Sequence, residues 1–242
     1  MFKEYAKYYD YFYKDKTYHK EVNYIHKKLI KLDNLKILDI GCGTGRYTSL
    51  LSEYSPRVTG IDPSKSMIKI AKQKYPNINF ICEDINKFYI HRKYDLITCL
   101  FDVFSYLKTN KDINIFLSSL NRLLKKNKFL VFDFWFGPGI FNEPPKNKIK
   151  KISNKNFSLE RKSVILHNKI LSNIDVKFQF KIKEKNNIKY FTEMHSMRYF
   201  FINEIKYLLE INGFDVLKFI DQNNYKNIKD TTWKCMCIAK KL

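Results

Sequence analysis

An apolar run, residues 37–40, passes directly into Gly41-Cys42-Gly43-Thr44-Gly45, and a helical pattern starts at once behind it. A strand that feeds a turn with alternating glycines needs backbone at positive φ, and it leaves room for a ligand that a Cβ would exclude. Such strand–turn–helix units belong to open α/β sheets whose ligands bind at the carboxyl edge of the strands. Dinucleotide folds use Gly-x-Gly-x-x-Gly. Here the third glycine falls one residue early, at Gly45, with Arg46 in the next place.

The surrounding pattern extends that reading. Strands are predicted over 37–40, 58–61, 78–81, 95–100 and 129–134, with helices over 47–54, 66–74 and 112–125 between them. Alternation of this kind predicts a parallel sheet. A helix over 18–32 leads into it, from Val22, Ile25, Leu29 and Leu32 at helical spacing. Beyond Pro144-Pro145 the character changes to four β-like runs, 149–159, 161–170, 174–184 and 188–200, with Asn186-Asn187 as a hairpin turn. A helix over 202–211, stopped by Asn212-Gly213, and strands over 214–221 and 233–240 close the chain. The expected class is α/β, a Rossmann-like seven-stranded sheet with an inserted antiparallel β lobe. Its expected units are a lid and lead-in helix (1–36), a ligand-binding core (37–140), the lobe (141–200) and a completing helix and strands (201–242).

Acidic residues close successive strands on one edge. Gly60-Ile61-Asp62 ends the second, where a carboxylate accepts from ribose hydroxyls, and Glu83-Asp84 follows the third, near an adenine amino group. This series resembles the class I S-adenosylmethionine-dependent methyltransferases, over nearly the whole chain, and Asp39-Ile40-Gly41-Cys42-Gly43-Thr44-Gly45 is the specific part of the match. The flanks are similar to methyltransferases of nucleotide-linked sugars, the aminosugar N,N-dimethyltransferases in particular. They are the opening Tyr8-Tyr9-Asp10-Tyr11-Phe12-Tyr13, Tyr106-Leu107-Lys108-Thr109, Asp133-Phe134-Trp135 and Glu193-Met194-His195. Three positions depart from that group: Asp102 replaces a small hydroxyl residue, Phe134 a proline and Tyr106, in some members, a histidine.

The resemblance implies S-adenosylmethionine as cofactor, leaving as S-adenosylhomocysteine. Gly41, Gly43 and Gly45 would cradle its methionine part, Asp39 would orient the turn, and Asp62 and Asp84 would fix ribose and adenine. Tyr9, Tyr13 and Tyr18 would close over the sulfonium, or simply pack an amphipathic lid. Tyr106 and His195 are the candidate acid–base residues, with Asp102 and Asp133 as partners, because a hydroxyl acceptor needs a positioned base. Trp135 lines the acceptor pocket or packs the core. His19, His26, His91 and His167 have no supporting constellation. Cys235-Met236-Cys237 alternates on a strand and lacks metal-site spacing, so no metal is expected.

Composition bounds the partners. The 242 residues hold 45 Lys+Arg against 24 Asp+Glu, a net charge of +21. That charge favours an anionic substrate or RNA. Arginine, the residue of base reading, is scarce, and Lys, Asn, Ile, Phe and Tyr all have A/T-rich codons, so base bias accounts for much of the lysine. An RNA methyltransferase is the runner-up; the segment after strand four, Thr98-Cys99-Leu100-Phe101, lacks the Asn/Asp-Pro-Pro-Tyr/Phe box of base-nitrogen enzymes. A noncatalytic cofactor-binding protein is the third class. Five cysteines at irregular spacing argue against a disulfide framework, and no apolar run is long enough for a span or leader, so a cytoplasmic protein is expected. The leading expectation is methyl transfer to N or O of a small anionic acceptor. A nucleotide-linked sugar or a surface-polysaccharide precursor is the favoured class and another small anionic metabolite the alternative; the oligomeric state stays open.

Overall fold

The computed structural model describes residues 4–90, 92–185 and 187–242; the opening Met1-Phe2-Lys3, His91 and Asn186 of the expected turn lie outside them. Five parallel strands form the centre: β1 (Ile37–Ile40), β2 (Val58–Asp62), β3 (Asn79–Cys82), β4 (Tyr94–Cys99) and β5 (Leu124–Phe136), in the order β3-β2-β1-β4-β5. Every residue of β1 and β4 is buried. Strands covered on both faces read as continuous apolar runs, which is why they were legible.

Crossovers are made by α3 (Arg46–Ser52), α4 (Lys65–Lys74) and α5 (Asn110–Leu123). Thr109 and Asp112 form a capping box at the start of α5, satisfying amides that the first turn leaves open. Ile113, Phe116, Leu117, Leu120 and Leu123 of α5 are buried against the sheet. Each such side chain contributes roughly 1.5–3 kcal/mol on burial. The second face packs Val22, Ile25, Leu51, Val131 and Ile238.

β10 (Phe214–Asp221) follows α7 (Ile202–Glu210) and pairs antiparallel with β11 (Lys234–Lys241), which lies antiparallel beside β5. Seven strands result, in the order β3-β2-β1-β4-β5-β11-β10. Cys235 and Cys237 are buried in that core.

The lobe is a meander of β6 (Lys148–Ser153), β7 (Phe157–Asn168), β8 (Asn173–Glu184) and β9 (Asn187–Phe200). It is continuous with the core rather than set apart from it. β4 pairs with β5 only as far as Cys99↔Phe132; beyond that point β9 takes the freed edge through Trp135↔Tyr199 and Phe136↔Phe200. Two expectations change here. The run 149–159 is a hairpin, because the Asn154 carboxamide accepts from the amides of Asn156 and Phe157 and turns the chain. β7 then runs unbroken through 160. Asn187 of the expected turn is instead the first residue of β9, paired with Glu184, and Asn186 lies outside the described residues.

The leading segment holds α1 (Ala6–Phe12) and α2 (Tyr18–Tyr24). The expected helix over 18–32 widens into a π turn at Ile25–Leu29 and stops at Ile30, which is extended. The His26 ring then accepts the Leu32 amide at 3.2 Å. α1 spans the two parts of the sheet. Tyr5, Tyr8 and Phe12 pack on Leu159, Phe180 and Ile182 of the lobe, while Asp10 accepts from Thr44 and pairs with Arg46 and Lys74 of the core. Among the described residues no helix is long and apolar enough to cross a membrane.

Candidate functional site

A cavity of about 1120 Å³ opens between the carboxyl edge of the parallel strands, the lobe and α1. The glycine turn is its floor. Gly41 and Cys42 donate their amides to the Ile61 carbonyl, at 2.8 and 3.1 Å, so the turn is laid across the end of β2. Asp62 secures it, accepting from the Gly43 amide at 3.0 Å and the Ser64 amide at 2.8 Å. Burial pushes the Asp62 carboxyl up, and those two amides oppose the shift.

The three glycines differ in what surrounds them. Gly43, at φ +54, faces the cavity, and a Cβ there would meet no atom within 4 Å. Gly41 also lines the cavity, where a Cβ would strike the Val103 side chain at 2.5 Å. Gly45 does not reach the cavity: it precedes α3 at φ +84 and its Cβ would strike Phe80 at 2.8 Å. Its smallness serves packing instead of a ligand.

Two further expected residues also lie away from the cavity lining. Asp39 is buried between β1, α3 and β4, accepting from the hydroxyls of Thr48 (2.7 Å) and Thr98 (2.9 Å), not from the glycine-turn amides. Burial pushes its carboxyl up to about 6. Asp84 follows β3 and accepts from its own Asn86 amide at 2.9 Å, an Asx turn outside the cavity wall.

Tyr9, Tyr13 and Tyr18 do line the cavity, together with Tyr5, which the sequence reading missed. Tyr9 and Tyr13 lie 4.8 Å apart between ring centroids, and Tyr13 meets Phe101 edge-on at 5.0 Å. Trp135 lines the cavity too, edge-on to Trp233 at 5.0 Å. Three buried donors in the lining have no acceptor among the described residues, the Tyr18 hydroxyl, Trp135 Nε1 and Arg161 Nε, and one acceptor there, Asp102 Oδ1, has no donor. Unpartnered buried donors are rare and mark a place where a polar ligand completes the set. Open space above Gly43 and a carboxylate beside it fit an aminoacyl nucleoside.

Tyr106 sits on a 3₁₀ turn (Phe104–Tyr106) after β4, and its hydroxyl lies 2.8 Å from His195 Nδ1 on β9. The other ring nitrogen, Nε2, is 3.5 Å from Glu193 Oε2. Glu193 and His195 are two residues apart on one strand and therefore share a face. A Tyr–His–Glu series results, with Glu193 newly placed as the group behind the imidazole. Burial holds the Tyr106 phenol well above its ordinary range.

Of the candidate partners, Asp133 holds the backbone at Phe101 and Asp102, and the Asp102 side chain accepts from Lys234. Phe101 and Asp102 both adopt positive φ, +70 and +67. Such conformations cost about 1–3 kcal/mol each and persist where surrounding structure imposes them. Asp133 imposes them here, accepting the Phe101 and Asp102 amides at 2.8 and 2.5 Å. Burial and the Asp102 carboxylate push Asp133 up to about 7, against the Lys234 cation. Lys234 in turn donates to Asp102 at the cavity wall.

Residues 37–127 match the family described as "Methyltransferase domain". A malonyl-[acyl-carrier protein] O-methyltransferase of Priestia megaterium is 34% identical over 174 residues, 65% of this chain and 61% of that protein. Among solved structures, an S-adenosylmethionine-dependent methyltransferase from Clostridium acetobutylicum superposes with a TM-score of 0.80 at 21% identity, covering 97% of this chain and 96% of that one. An amino pentose methyltransferase from Micromonospora echinaspora, solved with S-adenosylmethionine bound, superposes with a TM-score of 0.76 at 17% identity, covering 100% and 98%. Residues 37–127 thus match a methyltransferase domain, the chain has the Rossmann-like fold of the class I S-adenosylmethionine-dependent methyltransferases, and it spans 61% of the length of the malonyl-directed relative.

Proposed function

We propose that this chain, a class I S-adenosylmethionine-dependent methyltransferase by domain and fold, methylates N or O of a small anionic acceptor. A nucleotide-linked sugar or a related surface-polysaccharide precursor is the leading class. The observation that carries the reading is the Tyr106–His195 pair, backed by Glu193, in the wall of the same cavity as Gly43 and Asp62. Two segments distant in sequence bring a proton-handling pair to a cofactor-type turn. A cavity of this volume, closed on one side by α1, suits a small molecule better than a polynucleotide. That weighs against RNA, as does the scarcity of arginine.

Bound S-adenosylmethionine supplies an electrophilic methyl on a sulfonium. The chain's own part is to bind, orient and exclude water. Backbone at Gly41 and Gly43 takes the aminoacyl end; Asp62, with acceptor capacity beyond its two amides, takes ribose hydroxyls. Tyr9, Tyr13 and Tyr18 present ring faces that attract a sulfonium cation. His195 would receive the acceptor's proton through the Tyr106 hydroxyl as the methyl exchanges its bond to sulfur for one to the acceptor, and Glu193 would steady the imidazolium.

The sugar-directed structural neighbour supports a sugar acceptor. The malonyl-thioester relative favours a second reading, O-methylation of a carboxylate. Incubation with methyl-labelled S-adenosylmethionine and, separately, a panel of nucleotide-sugars, malonyl thioesters and total RNA tests both. Label in a nucleotide-sugar supports the leading reading. Label in the thioester replaces it with the second, and label in RNA overturns both.

A further inference from the structure

The lobe face of the cavity carries a concentration of positive charge that the proposed reaction does not use. Arg161 lies on β7 directly opposite Lys150 of β6, and Lys148 stands two residues along the same strand, opposite Ser163. All three line the cavity. Like charges directly opposite across an antiparallel pair destabilise it; the Phe12 carbonyl accepts from the Lys150 ammonium but brings no negative charge to offset Arg161. None is supplied from within: among the described residues no carboxylate forms an ion pair with Arg161, Lys150 or Lys148. Of the three carboxylates in the lining, Asp62 is spent on the glycine turn and Asp102 on Lys234, and Glu143 forms no ion pair with Arg161, Lys150 or Lys148 among the described residues.

Arg161 is also held as a fixed fork. Its guanidinium carbon lies 4.4 Å from the centroids of both Phe12 and Phe178, and Nη1 donates to the hydroxyls of Tyr5 (2.7 Å) and Tyr13 (3.4 Å). Those contacts set the plane of the group and occupy one edge. Nε, on the other edge, has no acceptor among the described residues. An arginine edge that presents Nε–H and Nη2–H in parallel matches the two oxygens of a carboxylate or phosphate.

We infer that Arg161, with Lys148 and Lys150 beside it, is an oxyanion subsite that anchors the charged group of the acceptor. The inference rests on the methyltransferase reading and assigns a part of the same cavity to substrate choice. Phe178 links it to the reacting pair: one ring stacks on Arg161 and lies 5.0 Å from the His195 ring. The acceptor's negative charge therefore sits one aromatic ring away from the proton-handling residues. A nucleoside diphosphate and a terminal carboxylate share this chemistry, and the test separates them.

The protein saturated with S-adenosylhomocysteine is titrated calorimetrically with uridine 5′-diphosphate and, separately, with malonyl-pantetheine. Binding of either identifies the source of the oxyanion. In both cases Arg161→Gln weakens binding by about tenfold or more, and Arg161→Lys restores only part, since it returns charge without the fork. Lys148→Gln, at an exposed position that cannot unfold the lobe, weakens it a few-fold. S-adenosylhomocysteine affinity stays within about threefold throughout. Neither probe binding the wild type, equal binding by Arg161→Gln, or indifference of Lys148→Gln where Arg161→Gln fails to fold, overturns the subsite. Loss of S-adenosylhomocysteine binding in the wild type is a separate outcome and overturns the methyltransferase reading itself.

Discussion

Gly43→Ala and Gly45→Ala are expected to part company, one losing cofactor and the other losing fold. Gly43 is at φ +54 with no atom within 4 Å of where a Cβ would stand. Alanine there bears only the left-handed backbone cost, about 1–2 kcal/mol. In a chain of this length each kcal/mol lowers the melting temperature by roughly 2–4 °C. The added methyl projects into the cavity, where crowding of about 1–3 kcal/mol weakens S-adenosylhomocysteine binding roughly five- to over a hundredfold. Gly45 is at φ +84, and its Cβ would stand 2.8 Å from Phe80 and 3.1 Å from Tyr75. Alanine there carries backbone cost and overpacking together, on the order of 2–5 kcal/mol, and leaves the cavity lining intact. Thermal denaturation and calorimetric titration with S-adenosylhomocysteine are run on both variants. A folded Gly43→Ala protein that binds as tightly as wild type refutes the cradle. So does a Gly45→Ala protein that loses more affinity than its counterpart.

His195→Gln and Tyr106→Phe lower kcat by roughly 10²–10⁴ for a hydroxyl acceptor and far less for an amine; equal, negligible losses on an oxygen acceptor would remove the pair from the mechanism. Asp39 gives a pH signature. Its folded carboxyl, raised to about 6 from 3.8, holds a proton that the unfolded chain has released. The corresponding stability is fully present below about pH 4 and lost as pH rises through about 6, a change on the order of 3 kcal/mol. Urea unfolding of Asp39→Asn should therefore gain on wild type by about that amount between pH 4 and 7, and a constant gap contradicts the assignment. Gly139→Ala places a Cβ 1.9 Å from the Thr232 carbonyl oxygen, a backbone atom that cannot step aside cheaply. A loss on the order of 3 kcal/mol is expected in the same assay, and an unchanged midpoint denies that contact.

Legibility in the sequence followed the range of the interactions. β1, its glycine turn and Asp62 form a local unit whose residue types state their backbone needs, and they stand where they were expected. Strands buried on both faces were visible for the same reason. Asn154 was read through as strand because a two-residue hairpin turn is decided by one carboxamide. Asp39 was legible as part of a motif but not in its role, since Thr98, its partner on β4, is 59 residues away. Tyr106 and His195 are 89 residues apart, and residue types without register could name both but not join them. Arg161 opposite Lys150 is a fact of strand pairing that no local pattern announces.

Because β9 is hydrogen-bonded into the edge of β5, the lobe cannot swing away from the core without tearing the sheet. The exchange of ligands then falls to the seven residues of α1, the smallest piece that spans both sides. Its tether to the core is Asp10 with three donors, two of them partly exposed cations worth little in salt water; its tether to the lobe is an exposed Lys7–Glu184 pair together with the buried aromatic packing of Tyr5, Tyr8 and Phe12, which salt does not screen. Ionic strength thus loosens one end of this helix and leaves the other attached, making it a flap with its hinge on the lobe. Turnover limited by departure of the spent cofactor would quicken with added salt, while turnover limited by chemistry would not.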